Sequence, residues 1–149
     1  MSPQRAKLIV NPTSGARSAQ RRWPRIKSLL EDVGLNFDSV LTLEPMQAME
    51  LAREAADRGY DLVVAVGGDG TINEVVNGLM GPDGKATADL GVIRTGTAND
   101  SARNLDLPTS LLKNCRRLVS PERTEIDIGI VEFLGDGQAR QRFFLNDAG

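Results

Sequence analysis

Apolar positions along the chain follow two rhythms that alternate. Leu8-Ile9-Val10 is a short continuous apolar run, stopped by the dense turn cluster Asn11-Pro12-Thr13-Ser14-Gly15, and reads as a buried strand feeding a loop. From about Ala19 to Val33 the apolar residues Trp23, Ile26, Leu29, Leu30 and Val33 recur at spacings of three and four, which predicts an amphipathic helix ended by Gly34. Phe37 to Leu41 reads as a second strand and Met46 to Arg58 as a second helix, closed by Gly59. Leu62-Val63-Val64-Ala65-Val66 is apolar throughout, as expected of a central parallel strand covered on both faces. Gly67-Gly68-Asp69-Gly70 breaks it, and Thr71 opens a helix to about Met80. After a Gly81 to Gly84 loop, Leu90 to Ile93 is a fourth strand. It runs into Arg94-Thr95-Gly96-Thr97-Ala98-Asn99-Asp100, where a short helix begins, and Ser110 to Val119 reads as a further helix.

Four strand-helix units in a row predict an α/β fold with an open, mainly parallel sheet. The rhythm changes near Pro121. Ile126, Ile128 and Ile130 then alternate with Asp127 and Gly129 along a strand from Thr124 to Val131, Gly135-Asp136-Gly137 is a hairpin signal, and Arg142 to Leu145 is a second strand. A lone hairpin is not a stable domain. The expected organisation is an α/β domain over residues 1–120, followed over residues 121–149 by the truncated start of a β-rich domain. An unpaired strand edge there can join a second copy, so a homodimer is among the expectations.

Composition narrows the chemistry. Lys and Arg total 18 and Asp and Glu 20, a net charge of −2, which does not suit a nucleic-acid binder. The absence of histidine removes imidazole catalysis and most transition-metal sites. The single cysteine, Cys115, cannot form an internal disulfide and reads as a small buried residue in a reducing compartment. No stretch approaches the ~20 apolar residues of a membrane span.

Three polar loops, Asn11 to Gly15, Gly67 to Thr71 and Gly96 to Asp100, leave the C-terminal ends of predicted strands, the edge where open α/β sheets bind ligands. In the middle loop, three glycines in four residues let the backbone approach a ligand, and the following helix N-terminus favours an anion such as phosphate. Asp69 would repel phosphate by itself; it makes sense on a metal ion, a metal-bound water or a nucleotide hydroxyl, or as a helix cap. The loop lacks the third glycine of G-x-G-x-x-G and the Gly-Lys-Ser/Thr of a Walker A loop. Thr42, after the second strand, would sit beside these loops. Asn73, Glu74 and Asn77 mark a polar face on a helix otherwise carrying Ile72, Val75, Val76 and Leu79.

Asn11-Pro12-Thr13-Ser14-Gly15, the block from Val66 through Gly67-Gly68-Asp69-Gly70-Thr71-Ile72-Asn73-Glu74 to Gly78, and Gly96-Thr97-Ala98-Asn99-Asp100 with Ala102-Arg103 resemble the signature loops of the diacylglycerol-kinase catalytic family. That family includes bacterial lipid kinases and sphingosine and ceramide kinases, with NAD kinases as distant relatives. The resemblance spans about residues 6 to 149. It implies an α/β N-terminal domain followed by a β-sandwich, with ATP in the cleft between them. It further implies an ATP site lined by Asn11, Pro12, Thr13, Ser14, Gly15, Thr42, Gly67, Gly68, Asp69, Gly70, Thr71, Ile72, Asn73, Glu74, Gly96, Thr97 and Asn99. Asp69, Asp100 and Asp127 look like the acidic cluster that organises Mg²⁺ through water, with Asp69 also the catalytic candidate in this chain.

The implied activity is transfer of the ATP γ-phosphoryl group to a lipid hydroxyl, by a cytoplasmic protein peripheral to the inner face of the membrane. The general base and direct Mg²⁺ ligands are expected beyond Gly149, so the chain by itself is expected to be inactive. Arg94, Thr95 and Ser101 depart from the family pattern, which usually has a proline and a small or apolar residue before its Gly-Thr and an aromatic after its Asn-Asp. Two rival readings are an NAD kinase, which shares Gly-Gly-Asp-Gly-Thr, and a non-catalytic nucleotide-binding regulator.

Overall fold

A computed structural model describes residues 5–44, 46–95, 115, 116, 118, 119, 128–135 and 138–145. Its elements run β1 (Arg5–Val10), α1 (Ser14–Asp32), β2 (Asn36–Leu41), α2 (Gln47–Asp57), β3 (Leu62–Gly67), α3 (Asp69–Leu79), β4 (Asp89–Arg94), β5 (Ile128–Gly135) and β6 (Gln138–Leu145). The first four strands form one parallel sheet in the order β2-β1-β3-β4. The α/β expectation is met, and β3 is central as its unbroken apolar run predicts: all six of its residues are buried.

Helices cover both faces of this sheet. On one, α2 and α3 pack over Ile9, Val63, Ala65 and Val92 through Ala48, Ala52, Ala55, Ile72, Val75, Val76 and Leu79. On the other, Ile26 and Leu30 of α1, with Cys115 and Leu118, cover Leu8, Val10, Val64, Val66 and Ile93. Alternate residues of each strand thus feed opposite layers. Cys115 is buried as expected, and burial pushes its thiol pKa up. The α2 and α3 axes approach closely because small residues line the seam. A Cβ on Gly78 would fall on the Met49 carbonyl oxygen and 2.8 Å from Ala52 Cβ.

Gly34 and Gly59, at φ +83° and +89°, end α1 and α2 in the left-handed conformation that the capping pattern predicts. Helix starts differ from expectation. α1 begins at Ser14 rather than near Ala19, so Ser14 and Gly15 belong to its first turn, and it runs through Pro24 without a break. α3 begins at Asp69 rather than Thr71.

Across the N-terminal edge of the sheet, the Tyr60 hydroxyl donates to Asp38 Oδ2 at 2.6 Å and accepts from Arg5 Nη2 at 3.0 Å. Arg5 also lies 4.2 Å over the Tyr60 ring and 3.4 Å from the Asp38 carboxylate. This cluster ties β1, β2 and the entrance to β3 together at the edge opposite the polar loops.

β5 and β6 pair antiparallel, from Ile128 opposite Leu145 to Gly135 opposite Gln138. Both strands are longer at the hairpin end than their sequence pattern suggests. β6 lies against α3. Most of the expected helix over Ser110 to Val119, the short helix after Asp100, and the start of the strand at Thr124 lie outside the described residues.

Candidate functional site

In this sheet β1 leads through α1 to β2 on one side, while β3 leads through α3 to β4 on the other. The order reverses between β1 and β3, a switch point of the kind that in open α/β sheets forms a ligand crevice outside the C-terminal strand ends. Asn11 follows β1 and Gly68 follows β3, so two of the three polar loops flank this crevice.

Backbone bonds hold the neighbouring strand ends in place. Asn11 N donates to Val66 O at 3.0 Å, Thr42 N to Val10 O at 2.8 Å, and Thr95 N to Gly67 O at 3.3 Å. The Asn11 side chain then fixes its own loop and the next one. Its Oδ1 accepts from Thr13 N at 3.1 Å and Thr13 Oγ1 at 2.8 Å, closing an Asx turn. Its Nδ2 donates to Thr71 Oγ1 at 3.1 Å, across the crevice.

Thr71 is 2 % exposed and seated on Gly67, where an added Cβ would come within 2.7 Å of Thr71 Oγ1. Gly67 is therefore required for Thr71 to reach Asn11. At Gly70 the reverse holds: among the described residues nothing lies within 4 Å of an added Cβ, so the backbone there faces open space.

Gly68 is the N-cap of α3, with extended backbone and no side-chain cap bond. Asp69 is the first helical residue and not the cap, which corrects the capping alternative. The first intrahelical bond is Ile72 N to Gly68 O at 3.0 Å, so the amides of residues 69–71 precede the helical ladder. A glycine-rich helix start beside open space suits an anionic group.

One turn further on, Asn77 is buried and its Nδ2 donates to the Asn73 carbonyl oxygen at 2.7 Å. Among the described residues, the buried Asn73 Oδ1 has no hydrogen-bond partner. A buried acceptor left unsatisfied is costly in a folded protein, and a ligand donor would relieve it. On the polar face of α3 read from sequence, Asn77 is thus bonded back to the Asn73 backbone, with Glu74 half-buried beside it.

Asn11, Pro12, Thr13, Thr42, Gly67, Gly68, Asp69, Gly70, Thr71, Ile72, Asn73 and Glu74 all lie at or just below this one sheet edge; Ile72 is fully buried and serves the core. Ser14 and Gly15 sit in the first turn of α1. Gly96, Thr97, Asn99, Asp100 and Asp127 lie outside the described residues, and with them two of the three acidic candidates. Among the described residues no three Asp, Glu, His or Cys side chains come together as a metal site. Thr95, read from sequence only as a departure, is 1 % exposed and joins β4 to the end of β3. Its burial beside Gly67 was not legible from residue type.

Comparisons with known proteins agree with this fold. The profile of the diacylglycerol kinase catalytic domain matches residues 5–131. A Bacillus subtilis (strain 168) protein named diacylglycerol kinase is 40 % identical over 147 residues, covering 98 % of this chain and 45 % of that protein. A Staphylococcus saprophyticus diacylglycerol kinase is 34 % identical over 143 residues, covering 96 % and 44 %. Among solved structures, a diacylglycerol kinase from Bacillus anthracis (strain Sterne) superposes with a TM-score of 0.73 at 26 % identity, over 93 % of this chain and 48 % of that one. The chain thus spans under half the length of these relatives.

Proposed function

This chain belongs to the diacylglycerol kinase catalytic domain family, and from that membership and the crevice between β1 and β3 we propose that it is the nucleotide-binding part of an ATP-dependent lipid kinase. The reaction is transfer of the ATP γ-phosphoryl group to the hydroxyl of a diacylglycerol-type lipid. The observation that carries this reading is the Asn11–Thr71 hydrogen bond, which holds the two signature loops together across the switch point.

The residues present fit ATP. Phosphoryl transfer asks a protein mainly for positioning and electrostatic stabilisation. The amides at the start of α3 offer donors to phosphate oxygens, and Gly70 leaves the space those oxygens need. Asn73 Oδ1 offers a buried acceptor to a nucleotide hydroxyl or amine. Thr13 and Thr42 lie at the same edge, and the family resemblance adds Thr97, which lies outside the described residues. Mg²⁺, when bound, offsets phosphate charge; Asp69 would hold it through water, together with Asp100 and Asp127. The lipid brings the protein to the inner face of the membrane from the cytoplasm, and no helix among the described residues is long and apolar enough to cross a bilayer.

Calorimetric titration with ATP, ADP and NAD tests the nucleotide assignment. Saturable ATP and ADP binding with no response to NAD is expected; NAD binding without ATP binding contradicts it. The lipid assignment is tested in a chimera in which this chain replaces the matching region of the Bacillus subtilis relative. ATP-dependent phosphorylation of diacylglycerol is expected, and phosphorylation of NAD in its place contradicts the proposal.

A further inference from the structure

Thr42 belongs to neither signature loop flanking the switch point, so its position needs a support of its own. Pairing of β1 with β2 ends at Val10 opposite Leu41, and Thr42 N closes it by donating to Val10 O at 2.8 Å. That bond holds Thr42 from the β1 side, one residue before Asn11. At 9 % exposure Thr42 is buried, whereas Leu43 beside it is exposed. The chain therefore leaves the sheet immediately after Thr42, and sheet pairing no longer fixes it on that side.

Gln47 supplies the second support. Its Oε1 accepts from Leu43 N at 2.5 Å, and its own amide donates to Glu44 O at 3.3 Å. The side chain thus reaches back four residues and binds the first amide beyond Thr42. Gln47 is half-buried and opens α2, which is anchored on the core through Ala48, Ala52 and Ala55. Met46, just before it, is the α2 N-cap and sits at φ +68°. A non-glycine residue holds that left-handed conformation only where its surroundings impose it. A side-chain acceptor on a turn amide takes the place of the ladder bond that the sheet no longer offers. Support runs from the core through α2 and Gln47 to the Leu43 amide, and so to Thr42.

We propose that Gln47 is a positioning residue for nucleotide binding. Its hydrogen bond to Leu43 N fixes Thr42 at the sheet edge that carries the site, and Gln47 acts through Thr42. The inference rests on the ATP reading, in which Thr42 lines the site. Gln47 lies outside all three polar loops.

Two variants separate the hydrogen bond from the packing. Gln47→Met keeps a long side chain with good helix propensity and removes the oxygen acceptor. Gln47→Glu keeps an acceptor of the same reach, with a charge that a helix start favours. Circular dichroism establishes that each variant is folded. In amide hydrogen exchange without ligand, Gln47→Met is expected to speed exchange at Leu43 and Thr42 several-fold and leave the β3 amides as in wild type. Gln47→Glu is expected to restore the protection. By calorimetry, ADP affinity is expected to fall about threefold to tenfold in Gln47→Met, the scale of one hydrogen bond, and to return in Gln47→Glu. In a Thr42→Ala background, Gln47→Met should have little further effect, because residues acting through one contact are not additive. Wild-type ADP affinity in folded Gln47→Met overturns the inference. So does a loss that Gln47→Glu does not rescue, or one that persists in full in the Thr42→Ala background. Failure of the ATP reading looks different: the wild type itself then binds no ADP. An altered exchange pattern in that case makes Gln47 a structural brace alone and overturns its nucleotide role.

Discussion

Asn11 Nδ2 donates to Thr71 Oγ1 at 3.1 Å, joining residues 60 apart in sequence across the crevice between β1 and β3. Neither loop can shift without breaking this bond, so the position of each loop is referenced to the other. Asn11→Ala and Thr71→Val should each weaken ADP binding several-fold, as expected for a hydrogen bond with a net value of about 0.5–1.5 kcal/mol. Thr71→Ser keeps the hydroxyl and should recover most of the affinity. Equal affinities for Thr71→Val and Thr71→Ser, measured by calorimetry, would show that the bond does not position the site.

Gly78→Ala should destabilise the fold without touching the crevice. The new methyl would strike the Met49 carbonyl and Ala52 across the α2–α3 seam. Overpacking of this kind costs about 1–3 kcal/mol, which for a chain of this size lowers Tm by roughly 3–10 °C. Thermal unfolding followed by circular dichroism reads the effect; an unchanged Tm would mean that the helices separate freely.

The Asp38–Tyr60–Arg5 cluster predicts the pH response. The hydrogen bond from Tyr60 holds the Asp38 carboxyl below its usual range, with Arg5 adding to the effect against a smaller opposing desolvation. A depressed carboxylate stabilises the fold above its unfolded pKa, near ~3.9, and that stability is lost as pH falls through the lower folded value. The same hydrogen bond, then burial, raises the Tyr60 pKa. Its contribution is complete below ~10 and is lost as pH rises through the higher folded value. Tyr60→Phe should therefore lower Tm at neutral pH and flatten both the acid and the alkaline limbs of the Tm–pH curve. Limbs as steep as wild type would place the titrating groups elsewhere.

Asp69 begins α3, where a negative charge favours the helix dipole by roughly 0.3–1 kcal/mol. Asp69→Asn should cost no more stability than that. The larger effect is expected on the increment in ADP affinity that Mg²⁺ provides, which should shrink at least tenfold. An undiminished Mg²⁺ increment would reduce Asp69 to a dipole partner.

Sequence pattern located the sheet and the loops because burial on two faces and turn chemistry are local signals. The run from Leu62 to Val66 reads as a central strand, and Gly34 and Gly59 as helix ends. Helix starts were less legible. Asp69 and Gly70 look like loop residues, yet they begin α3, because the strand end at Gly67 delivers the chain directly into helical geometry. Pairings across the fold were not legible at all. Nothing in residue type links Asn11 to Thr71, Tyr60 to Asp38, or Gly78 to Met49, since each depends on the register of β1 with β2 and β3 or on the α2–α3 seam. The burial of Thr95 likewise follows from β4 lying beside β3.

Gly70→Ala tests the central claim most directly. Among the described residues nothing lies within 4 Å of a Cβ at Gly70, so the variant should fold, and alanine's better helix propensity should hold or raise Tm. If nucleotide phosphates lie against the start of α3, the methyl fills their space, and ADP affinity measured by calorimetry should fall at least tenfold. Wild-type ADP affinity in a folded Gly70→Ala protein would contradict a phosphate site at this helix start.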